Sequence, residues 1–240
     1  MSQLAIDRAG TTLTLTLDRP DKMNALSASL VDELLAAVEP AEREGVRLLV
    51  LRGNGRNFSA GFDFGGLEAQ SEGDLLLRFT RIEQLLQLLH HAPFETLALA
   101  HGKNFGAGVD LVGACASRIA TADASFRMPG LRFGLVLGSR RFASQVGVDR
   151  ARAILREAKT FDSNEAARIG FVHAVVEPPG WAAAISAAEA RANDLSADAA
   201  ARLTRALVAD TRDADLADLV RSAAKPDLKG RIRAYLGPVK

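Results

Sequence analysis

Two glycine-containing stretches decide the fold: residues 58–64 read FSAGFDF, and residues 101–111 read HGKNFGAGVDL. Each follows an apolar run typical of a strand, and we expect each to lead into a helix. Glycine and alanine let the backbone approach a ligand closely and leave amide N–H groups free to point at it. Two such turns that converge on one carbonyl oxygen would form an oxyanion hole, so the pair predicts chemistry in which negative charge builds on a carbonyl.

The composition is that of an ordinary globular protein. Of the 240 residues, 48% are hydrophobic and 25% are charged, and the formal net charge is +1. A chain this long can bury a substantial core. The near-neutral charge gives no electrostatic argument for binding nucleic acid or an anionic membrane, so we expect neither as a partner.

Cys115 is the single cysteine of the sequence, so no internal disulfide can form. This usage is typical of a reducing compartment and predicts a cytoplasmic protein. Residues 1–8 contain no apolar core of a signal peptide, and no apolar run is long enough to span a bilayer.

Hydrophobic periodicity predicts strands that alternate with helices up to residue 177, followed by helices alone. Strands are expected at residues 11–17, 48–51, 96–100, 117–121, 124–128 and 171–176. Helices are expected from Ser27, over 75–89, from the cap at 162–165, and from Trp181 to about Arg221. The EPPG sequence at 177–180 suggests two regions, an α/β core of residues 1–177 and a helical region of residues 178–240.

Four motifs in order carry a family resemblance. They are RPDKMNAL at 19–26, FSAGFD at 58–63, GKNFGAGVDL at 102–111 and SNEAARIGFV at 163–172. Together they resemble the enoyl-CoA hydratase/isomerase (crotonase) superfamily from about Leu13 to Val176.

The resemblance implies an α/β fold, a crotonase-like spiral of ββα units with a C-terminal helical region used for trimerisation. It implies a homotrimer or a hexamer of two trimers. It also implies an acyl-CoA thioester as the ligand, with no separate cofactor, because CoA enters as part of the substrate.

The resemblance also assigns site residues. The oxyanion donors fall on the backbone N–H groups of Phe62 and Ala107, whose side chains are larger than is usual there and would narrow the acyl pocket. The backbone of 60–64 would hold the adenine end of CoA, and a lysine would contact a phosphate. The expected CoA-binding residues are Lys22, Ala60, Asp63 and Phe64.

The chain departs from the family pattern at its acids. The first of the two hydratase glutamates falls on Asp110, but the second falls on Gly130, and an acid that other members use falls near Gly138. A positioned acid or base contributes roughly 10²–10⁴-fold in rate, so ordinary hydration is expected to be weak. The nearby groups that could substitute are His101, Arg127, Arg132, Ser139 and Arg140.

Several of these residues also have a plain structural interpretation. An acid at position 110, in the first turn of a helix, is stabilised by the helix dipole whatever its role, and the dipole would lower its pKa. Asp63 is more typical of a loop-fixing residue than of a catalyst. His90 and His91 are expected to end a helix rather than bind metal, and no metal site is expected. The pair at 140–141 is a solvated helix face or, if it faces the pocket, a partner for a substrate carboxylate.

Two hypotheses follow. The first is an acyl-CoA enzyme with Asp110 as its one obvious acid/base, for which isomerisation, decarboxylation, C–C cleavage or thioester hydrolysis fits better than hydration. The second is a non-catalytic acyl-CoA-binding or assembly subunit that keeps the fold.

Overall fold

The computed structural model describes residues 2–237, whose strands form a six-stranded and a three-stranded sheet. The strands are β1 (Leu4–Ala9), β2 (Thr12–Leu17), β3 (Leu48–Gly53), β4 (Glu95–Ala100), β5 (Lys103–Phe105), β6 (Ser117–Ala120), β7 (Ser125–Arg127), β8 (Phe161–Asp162) and β9 (Ala174–Val175). The larger sheet has the order β1-β2-β3-β4-β6-β9 and the smaller one β5-β7-β8. Only the pairs β1–β2 and β7–β8 are antiparallel, which agrees with the predicted α/β class.

Helices cover the sheets. They are α1 (Ala28–Val38), α2 (Glu72–His90), α3 (Ala107–Ala114), α4 (Ser139–Val146), α5 (Val148–Glu157), α6 (Ser163–Arg168), α7 (Trp181–Asp194), α8 (Ala197–Leu207), α9 (Arg212–Ala223) and α10 (Leu228–Leu236). The predicted starts are confirmed, because Ser27 accepts from Leu30 N–H and Asp162 accepts from Glu165 N–H. Among residues 2–237, no helix is both long and apolar enough to cross a bilayer.

The apolar run of β3 is buried on both faces of the sheet. Leu49 and Leu51 point into the main core, whereas Leu48 and Val50 pack with Ala188 of α7. Alternate residues of a strand point to opposite faces, so a continuous apolar run fits a strand with a helix on each side. The C-terminal helices therefore contribute to the burial of the sheet.

Some predicted elements differ from the observed ones. The strand expected over 171–176 is only β9, because Phe171 N–H bonds the carbonyl of Ala166 and ends α6 there. The stretch at 58–64 does not lead directly into a helix. A short 3₁₀ turn, Leu67–Ala69, follows it, and α2 begins only after its cap residue Ser71.

The two glycine-containing turns pack backbone against backbone. Phe105 N–H donates to the Ser59 carbonyl at 3.0 Å, which joins β5 to the first turn. Gly61 has a φ of +79°, and a Cβ built on it would overlap the Phe105 carbonyl oxygen and lie 3.0 Å from Ala107 N. Only glycine fits both this conformation and this space, so the approach of the two turns depends on it.

We expect Gly61→Ala to destabilise the protein far more than Gly45→Ala. Both positions have a positive φ, +79° and +74°, but nothing lies within 4 Å of a Cβ at Gly45. The backbone conformation alone costs about 1–3 kcal/mol, and the overlap at Gly61 adds roughly another 1–3 kcal/mol. Urea unfolding of the two variants measures the difference, and equal losses would contradict the role given to Gly61.

Candidate functional site

An apolar cavity of about 200 Å³ lies where the two turns meet. Most of the predicted site residues line it, namely Ala60, Phe62, Phe64, Ala107 and Asp110. Positions separated by about fifty residues in the sequence are thus brought to one place.

Two backbone donors border the cavity without an acceptor. In the described chain, neither Phe62 N–H nor Ala107 N–H donates to a backbone or side-chain group, whereas Asp63 N–H and Gly106 N–H do. Phe62 is the bridge partner of Leu26, and Ala107 is the first residue of α3, where a helix leaves its N–H groups free. Buried N–H groups are nearly always paired, so two free donors at one cavity indicate a place for a ligand oxygen.

Asp63 and Lys22 do not line this cavity. The Asp63 carboxylate accepts from Gly65 N–H at 2.8 Å and pairs with Arg19 at 2.9 Å. Burial by itself would raise the pKa of Asp63, but the Gly65 hydrogen bond and the Arg19 charge outweigh it and lower the pKa. The Asp63 side chain therefore holds the loop that contains Gly65, in agreement with the expectation that Asp63 is a loop-fixing residue. Lys22 is exposed in the turn Pro20–Lys22.

Asp110 is a buried acid, 6% exposed, in the first turn of α3. Burial raises its pKa well above the ordinary value of 3.8; the Arg141 charge opposes this rise and the Glu83 charge adds to it. The sequence-based expectation was a lowered pKa, whereas burial, the largest cause of the shift, raises it. A carboxyl with a raised pKa exchanges protons nearer to neutral pH.

Gly138 gives the Asp110 carboxyl its space. A Cβ built on Gly138 would overlap Oδ1 of Asp110 and lie 2.6 Å from its Cγ, and Gly138 has a φ of +64°. No side chain fits at position 138 while Asp110 holds this position. The absence of an acid there is a consequence of where Asp110 lies.

Gly130 differs from Gly138. It lines the cavity, and the nearest atom to a Cβ built on it is the Leu135 carbonyl oxygen at 3.2 Å. This contact is tight, so a Cβ at position 130 requires that backbone oxygen to shift by a few tenths of an ångström. The position therefore borders the cavity without the direct overlap with Asp110 that is found at Gly138.

A buried ion pair between Arg141 and Glu83 lies behind Asp110, and Glu83 was not among the residues expected from the sequence. Arg141 donates to both carboxylate oxygens of Glu83, at 2.9 and 2.5 Å, with the two side chains 4% and 1% exposed. Asp215 of α9 adds a contact at 3.3 Å. Arg141 is thus neither a solvated residue nor a free partner for a substrate carboxylate. The signal that could have identified this ion pair was Glu83, a single glutamate among the apolar residues on the buried face of α2.

Arg140 also turns away from the apolar cavity. It pairs with Asp215 at 2.9 Å and Asp218 at 2.7 Å. It borders a larger cavity of about 500 Å³ between α4 and α8, which includes none of the predicted acyl-site residues. We therefore place the candidate site in the smaller cavity, where the free donors and the buried acid meet.

Asn24 is a further residue that holds the site together. Its buried side chain accepts from Arg19 N–H at 2.8 Å and donates to the carbonyls of Asn54 and Asn57, both at 2.9 Å. It thereby ties the 19–26 segment to the loop that precedes the first glycine turn. The asparagine of the RPDKMNAL motif therefore has a structural role, which is to hold these two segments together.

His90 and His91 end α2, as predicted. His90 is the last residue of the helix and His91 is its C-terminal cap. Within residues 2–237, no cluster of three or more histidine, cysteine or acidic side chains is placed to hold a metal ion.

Comparison with known proteins identifies the family. The profile described as enoyl-CoA hydratase/isomerase matches residues 7–224. The chain therefore belongs to the enoyl-CoA hydratase/isomerase family.

Individual relatives agree. A Mycobacterium bovis protein named probable enoyl-CoA hydratase is 32% identical over 189 residues, which cover 76% of each chain. A crystal structure from Bordetella parapertussis, assigned to the enoyl-CoA hydratases/isomerases, is 56% identical with a TM-score of 0.98 over 100% of both chains. A Bacillus halodurans enoyl-CoA hydratase shares the fold at 22% identity, with a TM-score of 0.85 over 97% of this chain and 100% of that one.

We expect Asp110→Asn to stabilise the protein, and by more as the pH rises above 3.8. The raised pKa means that the folded chain keeps a proton that the unfolded chain releases, so the wild type loses stability as the pH rises through this window. Asparagine removes that dependence. Urea unfolding between about pH 4 and 8 measures it. The control is Asp7→Asn on the exposed strand β1, for which no growing gain is expected.

We expect Arg141→Met to lower the free energy of unfolding by about 3–5 kcal/mol, because it leaves the Glu83 carboxylate buried without its partner. The double variant Glu83→Leu/Arg141→Met should recover most of this loss, since no lone buried charge remains. Thermal and urea unfolding of both variants test this. A double variant as unstable as the single one would show that packing, rather than charge, dominates.

Proposed function

We propose that this protein is an acyl-CoA isomerase that shifts a double bond into conjugation with the thioester carbonyl. In this reaction Asp110 transfers the proton. The observation that carries the proposal is that Asp110 is the one carboxylic acid among the described residues of the cavity wall. A double-bond shift needs one group that takes a proton and returns it. Hydration needs further help to activate a water molecule.

The free N–H groups of Phe62 and Ala107 would bind the thioester oxygen. Each such donor contributes about 2.7–4 kcal/mol when charge develops on the oxygen. Most of the wall is apolar, and exclusion of water strengthens these hydrogen bonds. The backbone from Ala60 to Phe64 and the exposed Lys22 remain our candidates for holding CoA.

The proton steps balance with Asp110 alone. Ionised Asp110 takes a proton from Cα of a 3-enoyl thioester, and the C–H electrons form a dienolate whose oxygen lies between the two N–H groups. Protonated Asp110 then gives the proton to Cγ, and the electrons return from oxygen to form the conjugated 2-enoyl thioester. The carboxylate is restored, and no water enters the reaction.

The test is conversion of 3-hexenoyl-CoA to 2-hexenoyl-CoA, followed by the absorbance of the conjugated product. We expect Asp110→Asn to lower kcat by roughly 10²–10⁴-fold while the thioester still binds. The rate should rise with pH through the raised pKa of Asp110 and then level off, since the ionised form is the base. Unchanged turnover in Asp110→Asn would exclude this role.

A second variant tests why hydration should be weak. We expect Gly130→Glu to raise hydration of crotonyl-CoA by roughly 10²-fold over the wild type, because it adds a carboxylate to the cavity beside Asp110. Gly130→Gln is the matched control, with similar volume and no charge. Fast hydration by the wild type would contradict the proposal.

The non-catalytic alternative rests on the missing side chain at Gly130. If several acyl-CoA thioesters bind and none exchanges its Cα protons in D₂O, the protein is an acyl-CoA binder that has kept the fold. Exchange that depends on Asp110 would reject this alternative.

A further inference from the structure

We propose that the site selects an uncharged acyl chain that ends in a group about the size of one aromatic ring, such as a terminal phenyl or compact branched group, over long-chain or carboxylated ones. This inference rests on the proposed acyl-CoA function of the cavity. It adds the substrate class, which nothing in the family assignment provides.

The volume limits the acyl group. The cavity measures about 200 Å³ and also has to admit the thioester. An apolar protein cavity of roughly 150 Å³ lined by leucine, isoleucine and phenylalanine stays dry and holds a benzene molecule. A ring-sized group therefore fits, whereas an extended fatty chain does not.

The wall cannot easily move to make more room. The rings of Phe62 and Phe79 are stacked, with their centroids 4.2 Å apart, and Cζ of Arg78 lies 4.1 Å from the centroid of the Phe62 ring. Arg78 is held in turn by the Asp63 carbonyl at 2.7 Å. The contacts with Phe79 and Arg78 therefore hold the Phe62 ring in place in the cavity wall.

The aromatic wall continues beyond Phe62, because the ring centroids of Phe62 and Phe64 are 5.0 Å apart. The rings of Phe64 and Phe133 meet edge to face with a centroid distance of 6.2 Å, and the Phe133 and Tyr235 centroids are 5.3 Å apart. Aromatic rings favour edge-to-face and offset arrangements, so a wall of this kind suits a planar apolar group. Tyr235 belongs to α10 and also lines the cavity.

The charges disfavour an acyl group with its own carboxylate. Asp110 lies in the wall, and Arg141 behind it is already paired with Glu83. Arg127 is the one cation among the described lining residues, and its Nε donates to the Ala158 carbonyl at 3.1 Å, at the end of α5. A carboxylate on the acyl group would enter a cavity that also holds the Asp110 carboxyl.

Calorimetry on the protein tests the selection with cinnamoyl-, crotonyl-, 2-dodecenoyl- and glutaconyl-CoA, and with free CoA. Cinnamoyl-CoA has no hydrogen on Cγ, so it measures binding without turnover. We expect cinnamoyl-CoA to bind at least about tenfold more tightly than the other three thioesters, because only its ring both fits and fills the apolar wall. Tightest binding of dodecenoyl- or glutaconyl-CoA would overturn the proposal. Thioesters that bind no better than free CoA would instead reject the proposed function itself.

Tyr235→Ala tests the assignment of the wall. It should lower the ratio of the dodecenoyl-CoA Kd to the cinnamoyl-CoA Kd by about tenfold, because it removes an aromatic ring from the wall and enlarges the cavity. The control is Leu207→Ala on α8, whose side chain is exposed and outside this cavity. Phe133→Leu provides a second enlargement if Tyr235→Ala does not fold. An unchanged ratio in the folded variant would contradict the role of the wall.

Discussion

The candidate site depends on the close backbone contact between the turn at residues 58–62 and the turn at 104–108. The Ser59–Phe105 hydrogen bond joins them, and Gly61 lets Ala107 N approach. Without this contact the N–H groups of Phe62 and Ala107 would not border one cavity. The buried amide of Asn24 secures the loop from the other side. The donors are thus held in place before any ligand binds, which is the condition under which such donors act on developing charge.

The second constraint concerns the buried carboxyl of Asp110. It occupies the space above Gly138, with the ion pair between Arg141 and Glu83 behind it. Its burial raises its pKa and costs folding free energy at neutral pH. A group that is unfavourable for stability yet lies beside two free donors is typical of a functional site. The ion pair joins α2 to α4 with both side chains buried, so removing either partner affects more than the site.

The two glycines that replace acids show what a sequence can and cannot indicate. In the sequence, Gly130 and Gly138 look alike, as two positions where a carboxylate is missing. In the structure, a Cβ at Gly138 would overlap Asp110, whereas one at Gly130 would border the cavity in tight contact with the Leu135 carbonyl. The difference arises because the Asp110 side chain of α3 fills the space at Gly138. Likewise, Arg140 and Arg141 are adjacent in sequence, but one is half exposed and the other is buried against Glu83.

The sequence by itself determined the alternation of strands and helices and, through its motifs, the family. These depend on local periodicity, caps and glycine positions, and β2, β3, β4 and α2 lie where that pattern placed them. It did not determine β1, the shortness of β9, the partner of Arg141 or the direction of the Asp110 pKa shift. Those were decided only by the tertiary structure, because burial and ion pairing come from residues far apart in the chain. The aromatic wall has the same origin, since Tyr235 of α10 packs against Phe133, about one hundred residues earlier in the chain, and both line the cavity.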